Sequence, residues 1–92
     1  MGTKADRDSG IKDFVGNLLE SQGLDLYEKW FARLKEANPD KEKITDFEVR
    51  DEMLAEITDL VIQGNSLILS KKDKSLVEEL LNQFLKKAHL LQ

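Results

Sequence analysis

Three short stretches of this chain carry the residue pattern that opens an α-helix: Asp25-Leu26-Tyr27-Glu28, Thr45-Asp46-Phe47-Glu48 and Ser70-Lys71-Lys72-Asp73. In each, a short side-chain acceptor can satisfy an otherwise unpaired amide of the first turn. A carboxylate three residues on can bond back to the start and face the positive end of the helix dipole. Apolar residues around these stretches recur at three- and four-residue spacing, the period of a helix. Such punctuation restricts the chain to helix packing.

The spacing predicts four helices. From about Gly10 to Gln22, Ile11, Phe14, Val15, Leu18 and Leu19 share one face, and Gly23 suits the left-handed position that ends a helix. A second helix, about Leu26 to Ala37, carries Tyr27, Trp30, Phe31 and Leu34. It ends at Asn38-Pro39, because the residue before a proline is pushed out of the helical region. The alternative is a single helix running through Gly23. A third helix, about Asp46 to Gln63, opens with Ile44 and Val49 in the positions of a hydrophobic staple. Its apolar face is Phe47, Met53, Leu54, Ile57, Leu60 and Val61, and Gly64-Asn65 ends it.

The fourth helix, about Lys71 to Leu90, has the set Leu76, Val77, Leu80, Leu81, Phe84, Leu85, Ala88 and Leu91. That set covers about half the helix circumference, more than one neighbour can bury. Helix four is therefore expected to touch two neighbours, or one neighbour and a partner chain. Residues 1–9 are polar and without periodicity, and read as a disordered tail ahead of a single domain over residues 10–92. The expected fold is all-α, a small irregular antiparallel bundle of four helices.

Composition narrows the functional classes. The chain has 92 residues, 40% of them hydrophobic and 35% charged, enough for one modest core. With no cysteine there is no disulfide scaffold and no thiolate metal site. The longest apolar run, Leu67-Ile68-Leu69, is too short to span a bilayer, so no membrane role and a cytoplasmic location are expected. The net charge of −4 is unevenly placed: residues 40–64 hold eight acidic against three basic residues, whereas residues 65–92 hold five basic against three acidic.

No catalytic constellation is visible. His89, the sole histidine, has Leu85 and Lys86 as its helical neighbours, and no Glu-x-x-His pair exists. The stretch Ala37 to Glu48 puts Ile44 and Glu48 at the eighth and twelfth places of an EF-hand loop. Its first, third and fifth places are Ala37, Pro39 and Lys41, and Glu42 replaces the obligatory glycine, so no calcium ligand set survives. There is no glycine-rich phosphate loop and no nucleophile–base pair, so no enzyme, cofactor or metal is expected. Tyr27, Trp30 and Phe31 read as core filling, with the indole N–H and the phenol near the rim where they can find partners.

Three surfaces remain. Glu48, Asp51, Glu52, Glu56 and Asp59 form an acidic ridge on helix three. It reads as a solvated face, as a docking surface for a basic partner, or as internal architecture paired with the lysines of helix four. Leu67, Ile68 and Leu69 cannot all face inward on an extended segment, since successive side chains alternate, so at least one is exposed or covered by another chain. With Phe84 and Leu91 of helix four they complete the expected partner-binding set. Lys71, Lys72 and Lys74 are the one candidate nucleic-acid surface, but the acidic total disfavours it, and no binding at low salt would sink it. The expected function is protein–protein interaction, as an adaptor or as an inhibitor or immunity-type protein, with a homodimer among the options. The alternative is a nucleic-acid-associated regulator.

Overall fold

The computed structural model describes residues 4–65 and 68–91, which form three α-helices: α1 (Lys4–Ala37), α2 (Asp46–Asn65) and α3 (Lys71–Lys87). The expectation of four helices fails at its first join. Gly23 is helical, and no glycine among the described residues has a positive φ. Ile11, Val15, Leu19, Gly23 and Leu26 form one unbroken buried stripe, and Gly23 is its smallest member. The reason lies on α3. The Phe84 ring packs on Gly23 so closely that an added Cβ would stand 2.8 Å from its Cε2. The glycine provides close approach rather than a turn. Asp25, read as a cap, is an exposed residue in mid-helix, because the stripe continues past it and keeps the chain helical.

Helix α1 also begins earlier than the residue pattern suggests. Residues 4–9, expected as a tail, are its first turns, and Arg7 ties them to α3. At 1.5 Å per residue a 34-residue helix is about 51 Å long. That matches the longest dimension of the molecule, 51 Å, so α1 is its spine.

The two shorter helices pack on α1 and on each other. The Phe14 ring lies over Gly64 near the end of α2, while Tyr27 faces Asp46 at its start, so α2 runs antiparallel to α1. Helix α3 starts beside Arg7, its Phe84 packs on Gly23, and the residues just past its end, His89 and Leu90, share a cavity with Tyr27, so it runs parallel to α1. The wide apolar arc of helix four is thereby used on two neighbours. Val77, Leu81 and Leu85 are buried, with Leu76, Leu80 and Phe84 packed against the core edge.

Both remaining capping patterns operate as expected. The Thr45 amide and hydroxyl donate to Glu48 Oε2 at 2.8 and 3.0 Å, and the Glu48 amide donates back to Thr45 Oγ1 at 3.2 Å. Ile44 and Val49, the staple residues, are both buried. Ser70 and Asp73 form the same reciprocal box, with Ser70 N to Asp73 Oδ2 at 3.0 Å and Asp73 N to Ser70 Oγ at 3.2 Å. Helix α1 ends at Ala37, and the Asn38 side chain bonds the Leu34 carbonyl ahead of Pro39.

The last helix stops at Lys87, short of the expected Leu90, in a reversal. His89 is left-handed, with φ of 59°. Its amide bonds the Lys86 carbonyl, and the Leu90 amide bonds the Leu85 carbonyl at 2.8 Å. This pair of bonds is a Schellman motif with histidine where glycine is usual. It folds Leu91 back into the core.

Candidate functional site

The five acids expected as one ridge divide in the structure. Glu48 is engaged in the α2 cap and in an ion pair with Lys41. Glu56 Oε1 accepts from Lys29 Nζ at 2.6 Å and from Trp30 Nε1 at 3.1 Å, which satisfies the indole N–H at the margin of the core. The Trp30 ring has Lys29 and Arg33 within cation–π range, at 5.4 and 5.0 Å from its centroid. Asp51 lies 3.6 Å from Arg50, whose guanidinium reaches Glu78 of α3 at 3.0 Å. Glu52 is half-buried, and Asp59 is exposed. The acids that are internally paired thus meet Lys29 of α1, Lys41 of the loop and Arg50 of α2 itself, not the lysines of the last helix.

The segment between α2 and α3 places its residues as alternation requires. Leu67 lies outside the described residues. Ile68 is 91% exposed and Leu69 is buried. Phe84 is half-buried over Gly23 and Leu91 is buried, so both turn into the bundle. At this end Arg7 donates from Nε and Nη2 to Asp73 Oδ2, at 3.2 and 2.8 Å, and from Nη2 to the Ile68 carbonyl at 2.5 Å. Asp73 is the one charged residue buried among those described. The Ser70 backbone amide, with help from Arg7, holds its carboxyl below the usual carboxylate range against the opposing effect of burial. Lys71, Lys72 and Lys74 are exposed on the first turns of α3, and Lys71 and Lys72 line a groove of about 650 Å³ with Arg7 and Leu76.

The other end holds a surface whose aromatic members the sequence pattern assigned to the core. Leu24, Tyr27 and Phe31 follow one another along α1 at spacings of three and four, on the flank of the buried stripe. Leu26 takes the core position that the aromatics were expected to fill. The Tyr27 and Phe31 rings stack with centroids 6.4 Å apart. Tyr27 also lines a shallow cavity of about 420 Å³ with Phe47, Asp46, Lys43, His89 and Leu90. Phe47, expected on the inward face of α2, is 54% exposed, because the core line of that helix is Val49, Met53, Ile57 and Val61. Burial, together with the nearby Asp46 carboxylate, pushes the Tyr27 phenol above its ordinary pKa, so its hydroxyl stays a hydrogen-bond donor.

One loop, the start of α2 and the reversal after α3 position this surface. The Thr45–Glu48 box aims Phe47 outward, the buried Ile44 anchors the approach to α2, and the left-handed His89 brings Leu90 alongside. The arrangement exposes aromatic and aliphatic area with a rim of both charges. Among the described residues no helix is long and apolar enough to cross a membrane, and no three His, Cys, Asp or Glu side chains group where they could hold a metal ion. Comparison with protein-family models, with curated proteins and with solved structures finds no match to this chain.

Proposed function

We propose that this domain is a protein–protein interaction module, an adaptor or an inhibitor, that receives its partner on the surface made by Leu24, Tyr27, Phe31 and Phe47. The observation that carries the reading is the grouping of exposed apolar side chains. Of the four large hydrophobic residues exposed among those described, Leu24, Phe31 and Phe47 lie about Tyr27, and only Ile68 lies at the far end. Apolar area left in water forgoes about 25 cal/mol per Å², and contiguous patches of it mark interaction sites. Tyrosine and phenylalanine are the residues that interface centres favour. The ordinary solubility of a charged helical surface gives no reason to gather them here.

The test compares the wild-type chain with a Leu24→Asp/Phe47→Asp variant and with an Ile68→Asp control, all checked for helicity by circular dichroism. The reading expects a stoichiometric protein partner, a second copy included, that binds the wild type and the Ile68 control and is lost from the double variant. A partner held equally by all three, or no association of the wild type with any protein or with itself, refutes it.

A further inference from the structure

The exposed stripe of α1 has a polarity that selects its occupant. At 100° per residue, Glu20, Leu24, Tyr27, Phe31 and Lys35 fall within an arc of about 80° and along about 22 Å of helix. Glu20, Leu24, Phe31 and Lys35 are all exposed, and the Glu20 and Lys35 side chains have no hydrogen-bond or ion-pair partner within the described chain. The stripe therefore reads acid, apolar, aromatic, aromatic, base. We propose, resting on the interaction surface described above, that its occupant is a second copy of this chain, with the two α1 helices packed antiparallel about a two-fold axis between residues 27 and 28.

About that axis Leu24 stands opposite the partner's Phe31, and Glu20 stands opposite the partner's Lys35. Each pairing occurs twice. Glu28, on the margin of the stripe, stands opposite the partner's Tyr27, whose hydroxyl is a donor for a carboxylate. A parallel arrangement would instead set Glu20 against Glu20 and Lys35 against Lys35. Charge at the ends of an apolar seam selects orientation in this way. The self-complementary order also explains why the rim carries both signs, as a partner of one strong charge would not require. Phe47 flanks the seam and extends the buried area. Because the seam covers only a few turns, the dimer belongs to the small, weak class of interfaces and dissociates on dilution.

Sedimentation equilibrium between about 10 µM and about 1 mM decides it, a span that covers weak association. The wild type should rise from 10.5 kDa toward twice that mass. Glu20→Lys and Lys35→Glu should each weaken association about tenfold, because each turns two attractive pairs into repulsive ones. The double reversal should restore it, and so should an equimolar mixture of the two single variants, in which every facing pair is again of opposite sign. Failure of both restorations with the helicity intact overturns the antiparallel pairing. A wild type that stays at 10.5 kDa throughout overturns the second copy. If that monomer still binds a different protein through Leu24 and Phe47, the interaction surface stands and only its occupant is wrong.

Discussion

Replacing Gly23 by alanine sets two effects of known size against each other. In a helix interior alanine is favoured over glycine by about 1 kcal/mol. At Gly16, where an added Cβ meets nothing within 4 Å, that gain should appear undiminished. At Gly23 the same Cβ would stand 2.8 Å from Phe84 Cε2 and 3.0 Å from Cε1, so the ring or the helix must move. Overpacking of this kind costs about 1–3 kcal/mol. Gly16→Ala should therefore stabilise the domain by about 1 kcal/mol, a rise of about 4–8 °C in Tm for a domain of this size. Gly23→Ala should be neutral or destabilising by up to about 2 kcal/mol, the difference of the two effects.

Urea unfolding followed by helical circular dichroism, with Trp30 fluorescence as a second probe, measures both. The informative step is to repeat Gly23→Ala with Phe84→Leu already in place. Leucine lacks the ring atoms that crowd the site, so the substitution should then stabilise as it does at Gly16. If Gly23 instead ended a helix in the left-handed region, its penalty would persist whatever stood at position 84. A cost that survives Phe84→Leu would refute the continuous helix and the close packing together.

Three other local features of the bundle have measurable consequences. Asp73→Asn should cost about 2 kcal/mol near neutral pH, since it weakens both the α3 cap and a charge-assisted pair with Arg7. The folded-state pKa of Asp73 is lowered, so its stabilisation is complete above the unfolded value of about 4 and is lost as pH falls through the folded one. The gap in urea midpoint between wild type and variant should hold from pH 7 to about 5 and close in acid, where a constant gap would count against the linkage. His89→Gly should raise stability by about 1 kcal/mol in thermal melts, because glycine takes a φ of 59° without the strain of a Cβ. Glu56→Ala should cost about 1–2 kcal/mol and alter Trp30 emission, because the indole N–H loses its acceptor.

The parts of the fold that were legible in the residue order are those decided within one turn of helix. The Thr45 and Ser70 boxes, the staple at Ile44 and Val49, and the stop before Pro39 depend on neighbours one to five positions away. The role of Gly23 depends on a ring far along the chain, and a glycine in a helical pattern reads the same whether it ends a helix or admits Phe84. The aromatic surface was hidden for a related reason. Tyr27, Phe31 and Phe47 sit on the shoulder of an apolar arc, and only the position of the neighbouring helices decides which shoulder is covered. That at least one of Leu67, Ile68 and Leu69 stands outside the core was readable from alternation, whereas its being Ile68 depends on Leu69 packing inward. Glu48 and Glu56 looked like surface charge because their basic partners, Lys41 and Lys29, lie in the loop and on the preceding helix.

The Arg7–Asp73 contact joins residues 66 positions apart, so it spans most of the chain. A bond that closes so large a loop loses more chain entropy than it returns until both helices are already docked. Its contribution is therefore expected to fall after the folding barrier. Removing it with Arg7→Ala should leave the refolding limb of a chevron almost unmoved and steepen loss of the native state through faster unfolding. On that expectation the first turns of α1 set the lifetime of the bundle more than the rate of finding it.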